Sequence, residues 1–214
     1  MSVGKPRGAG NSRFEPRDSR DWYPTPPWGT RALIEHVFKP LGLHDQQNLI
    51  WEPACGALDM AAPLQEYYFT VGVSDIEPLG DARGNIGAQM DFLNTPEDDR
   101  QPVDWIITNP PFNLFMPFFE RGMRASKIGI AMLVPLTIAE GIGRYEKIFQ
   151  PHKGRFCVAP FVERLPIIKN TVRKDATTAR AYCWLVVTHR IGLPPMLHIP
   201  PCRKQLEKDS DYDY

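Results

Sequence analysis

Several features are missing from this sequence of 214 residues, and each absence excludes a class of protein. No apolar run approaches the ~18–20 residues of a membrane-spanning helix, and the first residues lack the apolar stretch of a secretory signal. No membrane partner is therefore expected. The four cysteines form no CxxC pair, which disfavours a disulfide scaffold and a zinc finger. We expect no metal site and reduced thiols in a cytoplasm.

An excess of charge of one sign is also absent. The chain has 25 basic and 25 acidic residues, so the protein as a whole has no basic field that would attract nucleic acid. The distribution is less even than the sum, because residues 153–204 contain ten basic residues and only two acidic ones. This segment is either a surface that faces a polyanion or an ordinary solvated face.

The glycine motifs that bind phosphates are lacking as well. Neither GxGxxG nor GxxxxGK[ST] occurs, which disfavours binding of a pyrophosphate or triphosphate. Apolar residues, in contrast, make up 43% of the chain and suffice for a core. The 22 prolines are about twice the ordinary usage. Because proline ends helices, prolines spread along the chain predict short elements with firm ends.

Composition divides the chain into an arm, a domain and a tail. Residues 1–20 are rich in Gly, Ser and Arg and predict a flexible arm. We predict one domain over residues 21–195 and a C-terminal tail over residues 196–214. The end of this tail, residues 205–214, is polar and acidic and is expected to fray.

Strand and helix patterns alternate along the central domain. Segments 104–108 and 128–134 lack polar alternation, which is typical of strands buried on both faces of a parallel sheet. The sequence therefore predicts an α/β fold with a single, mostly parallel sheet and helices on both faces. The other predicted strands are 48–51, 69–74, 155–159 and 181–188. The first predicted helix is capped by Thr30 and ended by Pro40. The other predicted helices are 60–68, 116–125 and 144–149.

In such sheets ligands bind at the carboxyl ends of the strands, so the residues that follow strands carry the functional prediction. The first strand is followed by Glu52-Pro53-Ala54-Cys55-Gly56, where an acid precedes small residues that let a ligand approach the backbone. Asp75 ends the next strand at a distance that suits hydrogen bonds to ribose hydroxyls. Asp91 and Phe92 then offer an acceptor and an aromatic edge. This series favours a nucleoside cofactor without phosphates.

The most specific motif is Thr108-Asn109-Pro110-Pro111-Phe112, directly after strand 104–108. Its two prolines fix the backbone and remove two donors, so the loop is stiff and presents acceptors. The Asn109 amide oxygen and the Pro110 carbonyl can both accept hydrogen bonds from one amino group, which would aim the nitrogen lone pair at an electrophile. Phe112 can stack on a planar ring. Alone the motif is an ordinary proline turn, but after the acid-and-glycine series it predicts a site for an amino group.

With these motifs the sequence resembles the amino-methyltransferases that use S-adenosylmethionine, which carry a [DNS]PP[YFW] loop after the fourth strand. It is most similar to the DNA adenine-N6 methyltransferases, particularly small phage and prophage members. The shared features are the segment Tyr23-Pro24-Thr25-Pro26-Pro27-Trp28, the E-P-A-C-G loop and the NPPF loop. The resemblance covers residues 21–190 and implies a Rossmann-like class I methyltransferase fold. It also implies S-adenosylmethionine as cofactor, DNA as partner, and a bacterial or phage-infected cytoplasm.

The resemblance further implies a role for individual residues. The cofactor would be bound by Tyr23, Thr25, Pro26, Glu52, Pro53, Ala54, Gly56, Asp75, Asp91 and Phe92. Within this set the first three would contact the methionine part, Asp75 the ribose, and Asp91 with Phe92 the adenine. The catalytic residues that hold the target base would be Asn109, Pro110, Pro111 and Phe112. Phosphates of the nucleic acid would be held by Arg164, Lys169, Arg173 and Lys174.

Other functions remain open from the sequence. The same loop occurs in methyltransferases that act on glutamine amides of release factors and on amines of ribosomal RNA, and segment 23–28 is what favours DNA. A binding protein that keeps the fold without turnover is another alternative. It is supported by Leu58, which stands where family members usually have a second glycine. The sequence specifies neither a target sequence nor an oligomeric state, and it does not separate adenine from cytosine.

Overall fold

The computed structural model describes residues 23–96, 102–174 and 176–212, so the predicted arm of residues 1–20 lies outside the described part. Within this part, seven strands form one sheet in the order β3-β2-β1-β4-β5-β7-β6. The strands are β1 (Leu49–Glu52), β2 (Thr70–Asp75), β3 (Ala88–Gln89), β4 (Val103–Thr108), β5 (Ser126–Pro135), β6 (Phe156–Pro160) and β7 (Tyr182–Thr188).

The direction of the strands places a crevice in the middle of the sheet. Strands β1 to β5 are parallel, whereas β7 runs antiparallel between β5 and β6. The chain builds outward from β1 to β3 on one side and then returns to form β4 on the other side. A reversal of this kind leaves a ligand crevice at the carboxyl ends of the two central strands, here β1 and β4.

Helices are short, as the prolines predict. The α-helices are α1 (Pro27–Leu33), α2 (Ala61–Gln65), α3 (Phe115–Ala125), α4 (Ile142–Arg144) and α5 (Arg203–Leu206). A π-helical turn extends α1 at Ile34–Phe38, and another extends α4 at Tyr145–Phe149. None of the helices in the described ranges is long and apolar enough to cross a membrane. The predicted helix at 60–68 is real but is confined to α2.

The predicted start of the first helix is wrong. Thr30 lies inside α1 and is fully buried, and the helix begins at Pro27. Its N-cap residue, Pro26, is extended with φ −53° and ψ 126°. Proline suits the first helical position because its fixed φ matches the helix and its missing N–H would have no helical partner there. The prolines, and not the capping preference of Thr30, determine where α1 starts.

The core occupies both faces of the sheet. On one face Trp28 and Leu33 of α1 belong to a buried cluster with Trp105 of β4. On the other face Phe118 and Phe119 of α3 belong to a buried cluster around β4 and β5. The buried positions of α3 recur with helical spacing, which turns one stripe of that helix toward the sheet. The predicted α/β fold, with one mostly parallel sheet and helices on both faces, is confirmed.

The C-terminal segment is ordered where the sequence predicts fraying. Arg31 of α1 has a side chain that is 4% exposed, and it donates to both carboxylate oxygens of Asp211 at 2.7 and 2.8 Å. It also donates to both carboxylate oxygens of Glu66 at 2.7 and 2.9 Å and to the carbonyl of Leu206 at 2.8 Å. A buried guanidinium needs such partners because its desolvation is costly. Fraying is therefore the wrong prediction for residues 205–212.

Candidate active site

The predicted site residues come together because three parallel strands end at the same edge of the sheet. Glu52 is the last residue of β1, Asp75 is the last residue of β2, and Asn109 directly follows β4. The registers Trp51↔Gly72 and Trp51↔Ile106 place these strand ends side by side. Motifs that are far apart in the sequence thus place their side chains in a row at the β1–β4 crevice. We call this row the carboxyl edge.

The loop after β1 is held by the acid that ends β2. Gly56 has φ +48°, and its N–H donates to Asp75 Oδ2 at 2.9 Å. The other carboxylate oxygen of Asp75 accepts from the N–H of Glu77 at 2.9 Å. Each carboxylate oxygen can accept a second hydrogen bond, so Asp75 keeps acceptor capacity for the predicted contact with ribose. Pro53 is buried and Ala54 is half-buried in the same loop.

The backbone at Leu58 explains how the loop works without its expected second glycine. Leu58 has φ +69°, which is the left-handed conformation that favours glycine. Its side chain is 9% exposed and packs in a small cluster with Cys55 and Ala61. A left-handed non-glycine residue costs about 1–2 kcal/mol, and burial of the leucine side chain offsets that cost. The loop therefore has the backbone shape that a glycine would give it.

Glu52 is buried, and one of its carboxylate oxygens has no donor within the part of the chain that the structure describes. The residue is 2% exposed, and its Oε2 atom has no hydrogen-bond partner among the described residues. Burial raises the pKa of this carboxyl well above its usual range, and the nearby carboxylates of Asp59 and Asp75 raise it further. A buried acceptor without a donor is destabilising, so the site suits a ligand that brings a cationic donor.

Asn109 is clamped by the segment that precedes α1. Its amide nitrogen donates to the carbonyl of Tyr23 at 3.1 Å and to the hydroxyl of Thr25 at 3.0 Å. No hydrogen bond reaches Asn109 Oδ1 from any residue in ranges 23–96, 102–174 and 176–212. Asn109 itself is half-buried, and Pro110 after it is buried. The amide oxygen is thus an oriented acceptor at the carboxyl edge.

An aromatic pair lies beside this acceptor. Phe112 is half-buried in the turn after the prolines, and its ring centroid lies 6.2 Å from that of Tyr182 with the planes tilted by 37°. Burial raises the pKa of the Tyr182 hydroxyl above its ordinary value. Sequence reasoning missed Tyr182, the first residue of β7, because only the antiparallel direction of β7 brings the start of this strand to the carboxyl edge. Tyr182 is buried in the core cluster of α1 and β4, and Phe112 packs against that cluster, so only Phe112 is partly open to a ligand.

Asp91 and Phe92 are occupied by internal contacts. The Asp91 carboxylate accepts from the N–H groups of Leu93 and Asn94 and from the Asn94 side chain, which together lower its pKa. Phe92 is 2% exposed, and its ring packs against Trp51 at 5.1 Å. The Phe92 ring therefore has no open face for a ligand. A ligand that donates to Asp91 would have to bind a carboxylate that already accepts hydrogen bonds from Leu93 and Asn94. A contact of these side chains with adenine stays a prediction.

The predicted phosphate contacts lie on the connection between β6 and β7, residues 161–181. β6 ends and β7 begins at the carboxyl edge, so the two ends of this connection lie at that edge. Arg164 donates to the carbonyl of Ala179 at 2.9 Å, and Lys174 forms an exposed ion pair with Asp209 at 2.8 Å. Lys169 and Arg173 are exposed on the same connection. The contact of these four side chains with phosphates stays a prediction.

A cavity lies elsewhere in the protein. It has a volume of about 540 Å³ and is lined by Leu49, Trp51, Val103 and Arg121, among others. Leu49 and Val103 are the first residues of their strands, so the cavity reaches toward the amino ends of β1 and β4. It contains none of the predicted site residues. Within the described residues, no group of three or more His, Cys, Asp or Glu is placed to hold a metal ion.

Comparison with known proteins bears on the fold. No protein-family model and no curated protein matches the sequence. The structure is similar to a protein from Pyrococcus horikoshii described as a candidate RNA methyltransferase, with a TM-score of 0.53, 16% identity, and coverage of 82% of this chain and 90% of that chain. It is also similar to a protein from Lactococcus lactis described as a candidate hemolysin, with a TM-score of 0.52, 12% identity, and coverage of 85% and 96%.

These similarities concern architecture, because one fold can carry unrelated functions and the identities are low. The strand order with an antiparallel β7, and helices on both faces, agrees with the fold that the sequence resemblance implied. That expectation is confirmed at the level of the fold. The chain has the Rossmann-like fold of class I methyltransferases.

Proposed function

We propose that this protein transfers a methyl group from S-adenosylmethionine to an exocyclic amino nitrogen of a DNA base, adenine N6. The observation that carries the proposal is Asn109, whose amide nitrogen is held by two acceptors while its oxygen stays open at the carboxyl edge. An amino group that donates to this oxygen would be oriented before reaction, and orientation is a large part of catalysis in such transfers. The fold supports the proposal without specifying the substrate.

The residues at the carboxyl edge fit the proposed cofactor. Buried Glu52 has an unsatisfied oxygen that suits the amino group of the methionine part, and Asp75 has acceptor capacity for ribose hydroxyls. Gly56 leaves room for a ligand at the turn after β1. When bound, S-adenosylmethionine would supply a methyl group on a sulfonium, which is electrophilic enough to need no covalent enzyme intermediate.

The chain's own task is to hold the acceptor base. Asn109 Oδ1 and the Pro110 carbonyl would accept from the amino group, and Phe112 beside Tyr182 would contact the flat face of the ring. The proton of the methylated nitrogen would leave to solvent. A base paired in a duplex must leave the stack to reach this edge, so a duplex substrate requires base flipping. The cations of residues 161–181 would hold the adjoining phosphates.

RNA is the second candidate substrate, because Asn109 would hold an RNA amine in the same way. The protein from Pyrococcus horikoshii is described as a candidate RNA methyltransferase, which is a reason to test RNA beside DNA. A glutamine side chain in a protein is a further acceptor of the same chemistry. The non-enzymatic alternative stays a prediction; Leu58, on which it rests, has a left-handed backbone of the kind that favours glycine.

The test is a methylation assay on duplex DNA, RNA and a glutamine-containing peptide with labelled S-adenosylmethionine. We expect transfer to adenine N6 in DNA, and we expect Asn109→Ala to abolish it with cofactor affinity nearly unchanged in calorimetry. Asn48→Ala, at the amino end of β1, is the matched control and should transfer at the wild-type rate. Transfer only to RNA or to peptide would replace DNA as the substrate. No cofactor binding at millimolar concentration would overturn the proposal.

A further inference from the structure

We infer that Thr25 is a positioning residue, which acts with the Tyr23 carbonyl to fix the Asn109 amide so that its oxygen faces the acceptor amine. The inference rests on the proposed function and deepens it, because it assigns how the central side chain of the site is oriented. The sequence resemblance placed Thr25 at the cofactor. The structure gives its hydroxyl a direct contact with Asn109 at 3.0 Å.

The orientation of the amide follows from the chemistry of its partners. A backbone carbonyl can only accept a hydrogen bond, so the group that faces Tyr23 O at 3.1 Å must be the amide nitrogen. The hydroxyl of Thr25 then accepts from the second N–H of the same nitrogen. With both N–H groups engaged, Oδ1 is the atom left for a substrate. A rotated amide would set two acceptor oxygens against each other.

Both sides of this clamp are stiff. Pro24, Pro26 and Pro27 fix φ around Thr25, which is 2% exposed, and the residue before each proline is restricted to extended conformations. Pro110 and Pro111 restrict the loop on the other side in the same way. Two rigid segments from distant parts of the chain thus meet at the Asn109 amide.

The clamp makes aspartate a poor substitute at position 109, although the [DNS]PP pattern allows it. An aspartate has no N–H to donate to the Tyr23 carbonyl, so it would place a charged oxygen against another acceptor. The clamp in this chain therefore selects asparagine. We expect Asn109→Asp to lose at least about 100-fold in kcat, as expected for a misplaced reacting group.

The central experiment compares Thr25→Val with Thr25→Ser. Valine keeps the volume and removes the hydroxyl, so kcat should fall about 10-fold or more while KM for the nucleic acid changes less than about 3-fold. Serine keeps the hydroxyl and should restore most of kcat. A wild-type kcat in Thr25→Val, or a rise in cofactor Kd that accounts for the lost rate, would overturn the inference.

A second readout does not depend on methyl transfer. The melting temperatures of Thr25→Val, Asn109→Ala and the double variant form a cycle, and the double variant should lose less than the sum of the single variants. Additive losses would show that the clamp is absent. If the wild type is inactive but the cycle is non-additive, the proposed function fails while the clamp stands. If the wild type is active but the cycle is additive and Thr25→Val retains kcat, the inference fails alone.

Discussion

At the end of β1, Glu52 is buried beside the carboxylates of Asp59 and Asp75, and the burial and both neighbours raise its pKa. A glutamate in this environment holds its proton to a higher pH than a glutamate in the unfolded chain. Its contribution to stability is therefore present at low pH and is lost as the pH rises through the raised pKa. The same rise in pH creates the carboxylate that a cationic ligand needs, so stability and ligand binding respond oppositely to pH.

We predict the effect of Glu52→Gln on this basis. Without ligand, the variant should unfold at a higher temperature than the wild type, and the difference should grow with pH because glutamine cannot ionise. The affinity of the wild type for S-adenosylmethionine should increase with pH, whereas the variant should bind weakly and without that increase. Thermal unfolding and calorimetry at several pH values measure both. Glu77→Gln, exposed at the same edge, is the control, and identical pH profiles for Glu52→Gln and the wild type would contradict the prediction.

At the scale of elements, α1 connects the clamp on Asn109, which lies just before the helix, with the C-terminal segment, which contacts the helix. Thr25 lies two residues before the helix, and Arg31 within it binds Asp211 and Glu66. The C-terminal segment therefore stabilises the helix that positions the site. A sequence pattern of charged residues indicates a solvated tail, and only the folded chain shows that one of its carboxylates pairs with a buried arginine.

Asp211→Asn tests how much the ion pair between Asp211 and Arg31 contributes to the stability of the protein. Because Glu66 remains, we expect the free energy of unfolding to fall by about 2–3 kcal/mol, somewhat less than for a fully broken buried pair. Asp209→Asn is the matched control, because Asp209 is 96% exposed and its ion pair with Lys174 is solvated. Urea unfolding curves give both values. Equal stability of the two variants would show that the Arg31 pair adds nothing.

On the scale of the whole molecule, the carboxyl edge combines the crevice between β1 and β4 with the connection at residues 161–181. β6 and β7 meet at this edge, because β6 ends there and the antiparallel β7 begins there. The protein has no net charge to attract a nucleic acid. If the protein binds a nucleic acid as proposed, we therefore expect the cations of residues 161–181 to determine that binding.

Lys169→Gln combined with Lys174→Gln should weaken binding of a DNA duplex and reduce its dependence on salt. Each phosphate contact contributes a slope of about −0.9 in a plot of log affinity against log salt, so the loss of two contacts should change the slope by about 2. Fluorescence anisotropy over a range of salt concentrations measures the slope. Lys127→Gln, near the amino end of β5, is the control. An unchanged slope in the double variant would exclude these lysines from the interface.

The sequence by itself determined the α/β class, a mostly parallel sheet and the motifs at the strand ends, whereas the short β3 and the order of the strands appear only in the structure. These follow from local rules: buried strands lack polar alternation, prolines limit helices, and Glu52, Asp75 and Asn109 follow their strands directly. Tertiary structure decided which of these groups meet. The clamp on Asn109, the left-handed backbone at Leu58, and the pairing of the C-terminal segment with α1 depend on contacts between residues far apart in the chain, which no local pattern encodes.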